Sequence, residues 1–193
     1  MLRCENKKLL FWLRLIPNAL SCARMFSAPF LLGLSIVGNK NGFLILFFVA
    51  ALTDFLDGFI ARALSCENEL GGRLDTWGDV AVFMVLPICF YALWPSIFLD
   101  DIVFILIAIF SIVVPLFFGV VKFGRLISFH TFLSKLSVFL MVVAVYCVGL
   151  FSLDVFLKIA CVVQFFAGLE VFAIVFLLHD YRDDIRSVFS LLT

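Results

Sequence analysis

The chain has 193 residues, of which 65% are hydrophobic, and its mean hydropathy is +1.22. Soluble domains are roughly 45–50% apolar, so this composition excludes an ordinary soluble fold and indicates a protein whose solvent is largely lipid. The formal net charge is zero, which argues against nucleic acid as a partner. At about 20 apolar residues per span, the length allows six transmembrane helices and leaves nothing for a separate soluble domain.

The N-terminal residues mix basic and apolar side chains. Lys7, Lys8 and Arg14 flank a run of leucine, phenylalanine and tryptophan, which predicts an interfacial amphipathic helix over residues 1–16. Pro17 then begins a new helix, since proline is tolerated in a first turn. Arg14 interrupts the apolar stretch and no small-residue cleavage site follows, so we do not expect a cleavable signal peptide.

Six transmembrane helices are predicted along the rest of the chain. They cover 17–37, 42–64, 75–95, 102–121, 131–151 and 155–178, and a charged tail occupies 179–193. Turn-forming residues separate them: the run 38–42, Trp94-Pro95 and Ser152-Leu153-Asp154, with a polar loop over 65–73. The predicted fold class is therefore an all-α polytopic membrane bundle.

Lysine and arginine are distributed unequally between the two sides of this topology. If the spans alternate, only Lys40 and Lys158 fall on one side. The other twelve of the 14 fall on or near the opposite side: Arg3, Lys7, Lys8, Arg14, Arg24, Arg62, Arg73, Lys122, Arg125, Lys135, Arg182 and Arg186. The positive-inside rule then predicts that both termini lie in the cytoplasm, in agreement with an even number of spans.

Four aspartates stand out because ionised groups inside a membrane helix are costly. Asp54 and Asp57 lie three residues apart in the second span, and Asp75 and Asp79 lie four apart in the third. Each pair therefore shares one helix face. Two antiparallel helices joined by a short loop should turn these faces toward each other near the cytoplasmic end. Four clustered carboxylates call for hard divalent cations, with waters and substrate phosphates completing the shell.

The same stretch resembles the signature of the CDP-alcohol phosphatidyltransferase family. It reads Asp54-x-x-Asp57-Gly58-x-x-Ala61-Arg62, then eight residues, then Gly71-x-x-x-Asp75-x-x-x-Asp79. Every fixed position is filled, which is a specific match. Pro17-Asn18 followed by Arg24 and Pro29 is similar to the family's first span, and six spans with cytoplasmic termini resemble its architecture.

The resemblance implies transfer of a substituted phosphate from a CDP-linked donor, usually CDP-diacylglycerol, to an alcohol with release of CMP. It implies one or two Mg²⁺ or Mn²⁺ ions held by Asp54, Asp57 and Asp75. Asp79 would be the general base and could also bind the second ion. The positions implied to receive the CDP moiety are Gly58, Ala61, Arg62 and Gly71. A homodimer is also implied, and the small size suggests a bacterial inner membrane.

The acceptor alcohol stays open. Thr76, Gly78 and Val80 depart from the Asp-Pro-x-Ala-Asp-Lys pattern of phosphatidylglycerophosphate synthases, and the run from Asp75 to Pro87 is somewhat like phosphatidylserine synthases. Candidates are glycerol-3-phosphate, serine, inositol phosphate or a second phospholipid. In members that take a phosphorylated acceptor, basic residues around the fourth and fifth spans bind its phosphate, which makes Lys135 and Arg125 candidates.

Two other functions compete with an enzyme. An ion or proton transporter would explain intramembrane aspartates, but it would not explain Gly58, Ala61 and Gly71 at fixed offsets, and transporters often carry an internal repeat that is not seen here. A catalytically inactive scaffold would not need all four costly carboxylates. Glu170, in the last span, is expected to pair with a basic residue or support a dimer rather than to take part in catalysis.

Overall fold

A computed structural model describes residues 2–63, 69–124 and 131–178 of the chain. Within them the regular elements are all helices and no strand occurs, which confirms the predicted all-α class. The described helices are α1 (Leu2–Ile36), α2 (Lys40–Ala63), α3 (Glu69–Leu93), α4 (Pro95–Asp100), α5 (Ile102–Phe123), α6 (Phe132–Phe151) and α7 (Val155–Leu177).

Five stretches within the described residues are long and apolar enough to cross a membrane, so the chain is an integral membrane protein. They are Asn18–Ile36, Leu74–Leu93, Ile102–Phe123, Phe132–Phe151 and Val155–Leu177. They correspond to five of the six predicted spans, with ends that differ by no more than two residues. The remaining predicted span, 42–64, falls on α2. That helix has 24 residues, about 36 Å, and its crossing of the membrane stays a prediction.

Three details of the predicted helix boundaries were wrong. First, α1 runs through Pro17 as one continuous helix instead of an interfacial helix over 1–16 and a separate span. The residues just before Pro17 are good helix formers without glycine, so nothing but the proline opposes continuation. Second, α3 begins at Glu69, inside the predicted 65–73 loop. Third, the short helix α4 was not predicted.

Local capping interactions explain where several helices begin and end. Gly38, with φ of +75°, ends α1, and the amide of Asn39 donates to the carbonyl of Leu34 at 2.9 Å. The side chain of Asn39 then accepts a hydrogen bond from the amide of Gly42 at 2.9 Å, at the start of α2. In the same way the Thr131 hydroxyl accepts from the amide of Ser134 at the start of α6.

The chain divides into two compact units, Met1–Leu93 and Trp94–Thr193. In the first unit α1 packs against both α2 and α3. Its buried apolar core includes Ala28, Leu31, Phe43, Phe47, Cys89, Phe90 and Leu93. The rings of Phe43 and Phe47 stack with 5.9 Å between their centroids. Helix α1 is thus the element that links the two predicted aspartate helices.

In the second unit α7 packs against both α5 and α6. The contact between α7 and α5 is especially close at Gly168, where a Cβ atom would lie only 2.3 Å from the carbonyl oxygen of Ser111. Large apolar side chains remain on the outside, among them Phe110, Phe139 and Phe176, each at least 62% exposed. Such exposure is expected of helices surrounded by lipid tails, which solvate apolar side chains.

Candidate active site

The centre of the site is the guanidinium of Arg24, which contacts three aspartates. Its Nη1 atom lies 2.9 Å from Oδ1 of Asp54, 2.9 Å from Oδ1 of Asp75 and 2.5 Å from Oδ1 of Asp79. Oxygens of the three carboxylates lie within 4.8 Å of one another. Arg24 is buried, with 3% of its side chain exposed, whereas the carboxylates are 22–38% exposed. The cluster therefore has a buried basic centre and a partly open acidic rim.

The first helix positions Arg24 through a stripe of buried small and polar residues. Ser21, Arg24, Ser27, Leu31 and Ser35 recur at intervals of three or four and are all buried, so they lie on one helix face. The hydroxyl of Ser27 donates to the carbonyl of Arg24 at 2.6 Å. This face is turned toward α2 and α3, which explains how an arginine is tolerated in an otherwise apolar span.

A glycine on α3 allows the first and third helices to approach each other at the site. A Cβ atom at Gly78 would lie 3.1 Å from the carbonyl oxygen of Ser21 and 3.7 Å from Cβ of Arg24. Gly78 immediately precedes Asp79 and is three residues after Asp75. Because residue 78 has no side chain, the α3 carboxylates can reach the guanidinium. One of the departures from the phosphatidylglycerophosphate-synthase pattern thus lies at a close contact of α1 with α3.

The aspartates come from two helices, as the sequence suggested. Asp75 and Asp79 lie one turn apart on α3, and Gly71 precedes Asp75 by one further turn on the same face. Asp54 reaches the same point from α2. Antiparallel helices carrying spaced carboxylates therefore bring three of the four predicted aspartates together. The structure adds that α1 supplies the counter-charge between them.

The donor set fits a divalent metal ion. All three groups offer carboxylate oxygen, the ligand that hard divalent cations prefer. A single cationic nitrogen already lies within 2.9 Å of all three oxygens, so the arrangement favours a positive charge at that point. One guanidinium thus faces three carboxylates at this point. Within the described residues, no other group of three His, Cys, Asp or Glu side chains is arranged to hold a metal.

Other predicted site residues lie partly or wholly outside the described residues. Asp57, Gly58, Ala61 and Arg62 lie on α2, but their side chains and surroundings are outside the described part of the chain. Arg125 and the tail over 179–193 are likewise outside the described residues. The roles expected for these positions stay predictions.

The basic residues proposed for the acceptor lie in the second unit. Lys135 is in the first turn of α6 with an exposed side chain, and its role stays a prediction. Lys122, in the same basic group of the sequence, donates from Nζ to the carbonyls of Val175 and Phe176 at 2.8 and 3.0 Å. Its charge therefore stabilises the C-terminal end of α7. Glu170 lies part-buried on α7.

A second charged cluster joins α7 to the turn before α5, and it was not predicted from the sequence. Nζ of Lys158 lies 3.2 Å from Oδ1 of Asp101 and 2.6 Å from Oδ2 of Asp154. Asp101 is buried, with 3% exposed, while Lys158 and Asp154 are each more than one third exposed. The hydrogen bond from Lys158 holds the pKa of the Asp154 carboxyl below its usual value. The cluster fastens helix ends within the second unit.

Arg24 is the site residue whose role sequence reasoning missed. It was counted as a cytoplasmic charge and as part of the first span's pattern, and no contact with the aspartates was expected. The available signal was the periodic stripe of Ser21, Arg24, Ser27 and Ser35 inside an apolar helix. Polar residues at intervals of three or four in a membrane helix indicate a face turned to protein.

The fold and the site together define a helical integral membrane protein with a carboxylate centre built between three helices. Comparison with known families identifies it further. The family model described as CDP-alcohol phosphatidyltransferase matches residues 14–176, a range that begins within α1 and ends one residue before the end of α7. The chain belongs to the CDP-alcohol phosphatidyltransferase family.

Individual relatives are similar over shorter ranges. A CDP-diacylglycerol–glycerol-3-phosphate 3-phosphatidyltransferase of Aquifex aeolicus is 34% identical over 92 residues, covering 48% of this chain and 51% of the relative. The rat CMP-forming cardiolipin synthase is 42% identical over 74 residues, covering 38% and 24%. A Cereibacter sphaeroides enzyme with the same description as the Aquifex relative is 35% identical over 74 residues, covering 36% and 34%. The matches thus span about half or less of these relatives' lengths. No solved structure matches the chain significantly.

Proposed function

We propose that this protein transfers a phosphatidyl group from CDP-diacylglycerol to an alcohol and releases CMP. The observation that carries the proposal is the convergence of Asp54, Asp75 and Asp79 on one cation-binding point in a chain of the CDP-alcohol phosphatidyltransferase family. Helical spans surrounding a polar site also suit a donor whose acyl chains remain in the bilayer while its head group reacts.

The reaction exchanges one phosphorus–oxygen bond for another. The acceptor hydroxyl oxygen bonds to the phosphorus that carries diacylglycerol, and the bond from that phosphorus to the bridging oxygen breaks. CMP leaves with the bridging oxygen, and the hydroxyl proton passes to a base. We assign this base to Asp79, which is one third exposed at the rim of the cluster, so a small alcohol can reach its carboxylate.

We assign Asp54, Asp57 and Asp75 to hold Mg²⁺ or Mn²⁺, with Asp79 a further ligand if two ions bind. Such an ion, when bound, neutralises charge on the diphosphate and on departing CMP. The carboxylates of α2 and α3 would hold the ion. All-oxygen ligation supports Mg²⁺ or Mn²⁺ over metals that prefer nitrogen or sulfur.

The CDP moiety is assigned to the segment that joins the two aspartate pairs. Gly58 and Gly71 carry no side chain and leave room for the cytidine, Ala61 permits close packing, and Arg62 provides a charge for the diphosphate. Gly71 supports this assignment by its position, because it lies one turn from Asp75 on the same face of α3.

Glycerol-3-phosphate is the acceptor we favour. The Aquifex and Cereibacter relatives are named for that acceptor, and Lys135 with Arg125 would bind its phosphate. A phospholipid acceptor is the second candidate, because the rat cardiolipin synthase shares 42% identity over its 74 matched residues. We further propose a homodimer in a bacterial inner membrane, with both termini and the active site facing the cytoplasm, as the lysine and arginine distribution suggests.

The acceptor is tested by identifying the lipid product. Purified protein in detergent receives CDP-diacylglycerol, Mg²⁺ or Mn²⁺, and single acceptors: glycerol-3-phosphate, serine, inositol phosphate or phosphatidylglycerol. Mass spectrometry should detect phosphatidylglycerophosphate with the first acceptor. Lys135→Gln should raise KM for glycerol-3-phosphate at least about tenfold, the size expected for one lost charge-assisted contact, and Lys40→Gln serves as the charge-matched control. Cardiolipin formed from phosphatidylglycerol, without any product from glycerol-3-phosphate, would overturn the favoured acceptor.

A further inference from the structure

The contacts of Arg24 are unusual in their stoichiometry. One nitrogen, Nη1, lies 2.5–2.9 Å from oxygens of three different carboxylates. A guanidinium has five N–H groups, and each terminal nitrogen carries two of them. Nη1 therefore offers two hydrogens to the oxygens of three carboxylates. At this nitrogen, positive charge contributes to the contacts alongside hydrogen bonding.

This arrangement matches what a cation requires of the site. The three oxygens surround one point, lie within 4.8 Å of one another and belong to side chains on two helices, α2 and α3. A divalent ion held by these carboxylates would provide twice the charge of Arg24. Arg24 and the ion therefore compete for the same oxygens, since the two positive charges cannot share one position.

We propose that Arg24 is a positioning residue that takes the place of the divalent ion in the metal-free site and is displaced when the ion binds. This rests on the proposed function, which supplies the metal. The guanidinium keeps the carboxylates together in the absence of the ion and sets the concentration at which the ion binds. Its departure also releases an oxygen of Asp79, the group assigned as base.

The surrounding structure fixes the backbone of Arg24 and leaves its side chain as the moving part. Gly78 of α3 packs closely against Ser21 and Cβ of Arg24, and within α1 the Ser27 hydroxyl donates to the Arg24 carbonyl. The guanidinium lies at the end of four rotatable bonds. It can leave the three oxygens by side-chain rotation, without separation of the helices.

The test measures ion binding without substrate. Mn²⁺ is titrated calorimetrically into wild-type protein, Arg24→Gln, Arg24→Lys and Lys40→Gln in one detergent at fixed ionic strength. Lys40 is a matched control, because it lies 14 residues before Asp54 on α2, about 21 Å along the helix. Arg24→Gln should bind Mn²⁺ about tenfold or more tightly than wild type, given the strength of charge-assisted contacts. Arg24→Lys, with three N–H donors on one nitrogen, should keep the wild-type affinity within about threefold, and Lys40→Gln should not change it.

A second measurement distinguishes displacement from simple repulsion and does not need Arg24→Gln to fold. Wild-type protein with ¹⁵N-labelled arginine is followed by NMR as Mg²⁺ is added, and the Arg24 guanidinium signal is assigned by its loss in Arg24→Lys. Saturating Mg²⁺ should shift this signal toward that of a guanidinium without carboxylate partners. An unshifted signal, or Mn²⁺ affinity in Arg24→Gln that equals or falls below wild type, would overturn the proposal. If neither wild type nor Arg24→Gln binds Mn²⁺, the metal in the proposed function fails as well. If the two proteins bind Mn²⁺ with equal affinity and wild type still releases CMP, only the role proposed for Arg24 fails.

Discussion

Replacing Gly168 with alanine should push α7 away from α5 and lower the stability of the second unit. The added Cβ would lie 2.3 Å from the carbonyl oxygen of Ser111 and 2.6 Å from its Cβ. Ordinary van der Waals contact begins at 3.4 Å, so the nearer contact falls short by 1.1 Å. The atom in the way is a backbone carbonyl, which cannot rotate aside as a flexible side chain would.

The expected loss in free energy of unfolding follows from this geometry. Overpacking of a tight core typically costs about 1–3 kcal/mol, and a clash with backbone belongs at the upper end, so we expect a loss of about 3 kcal/mol. The assay is reversible unfolding of the purified protein by SDS in mixed micelles, followed by tryptophan fluorescence. Gly33→Ala is the control, because no heavy atom lies within 4 Å of a Cβ at that position.

A double variant makes this prediction sharper. Ser111→Gly removes the contact with the serine Cβ but leaves the carbonyl oxygen at 2.3 Å. Ser111→Gly combined with Gly168→Ala should therefore remain destabilised relative to Ser111→Gly alone. Unfolding of Gly168→Ala at the wild-type SDS fraction, or full recovery in the double variant, would refute the close backbone contact between α5 and α7.

Two further predictions concern charged side chains of the second unit. Lys158→Met should lower the SDS fraction at which the protein unfolds, because it leaves the buried Asp101 carboxylate without its contact to Lys158. Asp154→Asn should lower that SDS fraction much less, since the Asp154 carboxylate is 39% exposed, and equal losses would contradict this division. Lys122→Met should lower the free energy of unfolding by about 1 kcal/mol, because it removes two hydrogen bonds at the end of α7. Backbone amide hydrogen exchange should become faster in the last turn of α7 but not at the start of α5.

The parts of the fold predictable from sequence are those set by local chemistry. Helices α5, α6 and α7 begin and end within two residues of the predicted positions, because long apolar runs stop at strong turn signals. One such signal is Ser152, which has a positive φ of 56°. The start of α3 was missed, because Gly71 and Gly72 favour a loop by composition while the helix continues through both. A single proline likewise did not end α1.

The candidate site likewise has one part that local sequence spacing predicts and one part that it does not. The pairing of Asp54 with Asp75 and Asp79 followed from residue spacing on two consecutive helices. The contact of Arg24 with Asp75 and Asp79 joins residues 51 and 55 positions apart in the sequence. Local sequence patterns do not predict contacts over such a separation. The link of Lys158 to Asp101 is equally non-local. Only packing of the helices decides which buried charges meet.

The most direct test of the central claim is CMP release by the purified protein. With CDP-diacylglycerol, Mg²⁺ or Mn²⁺ and an acceptor mixture, wild-type protein should release CMP, and removal of the ion with EDTA should stop it. Asp75→Asn should lose at least about 100-fold in rate, in line with the loss of a major electrostatic contribution to catalysis, while still inserting and folding. Asp100→Asn, which changes an aspartate outside the cluster, should keep wild-type turnover. Absence of CMP release from wild type across all acceptors, with metal-dependent ion flux in vesicles, would contradict the account, and so would unchanged turnover in Asp75→Asn.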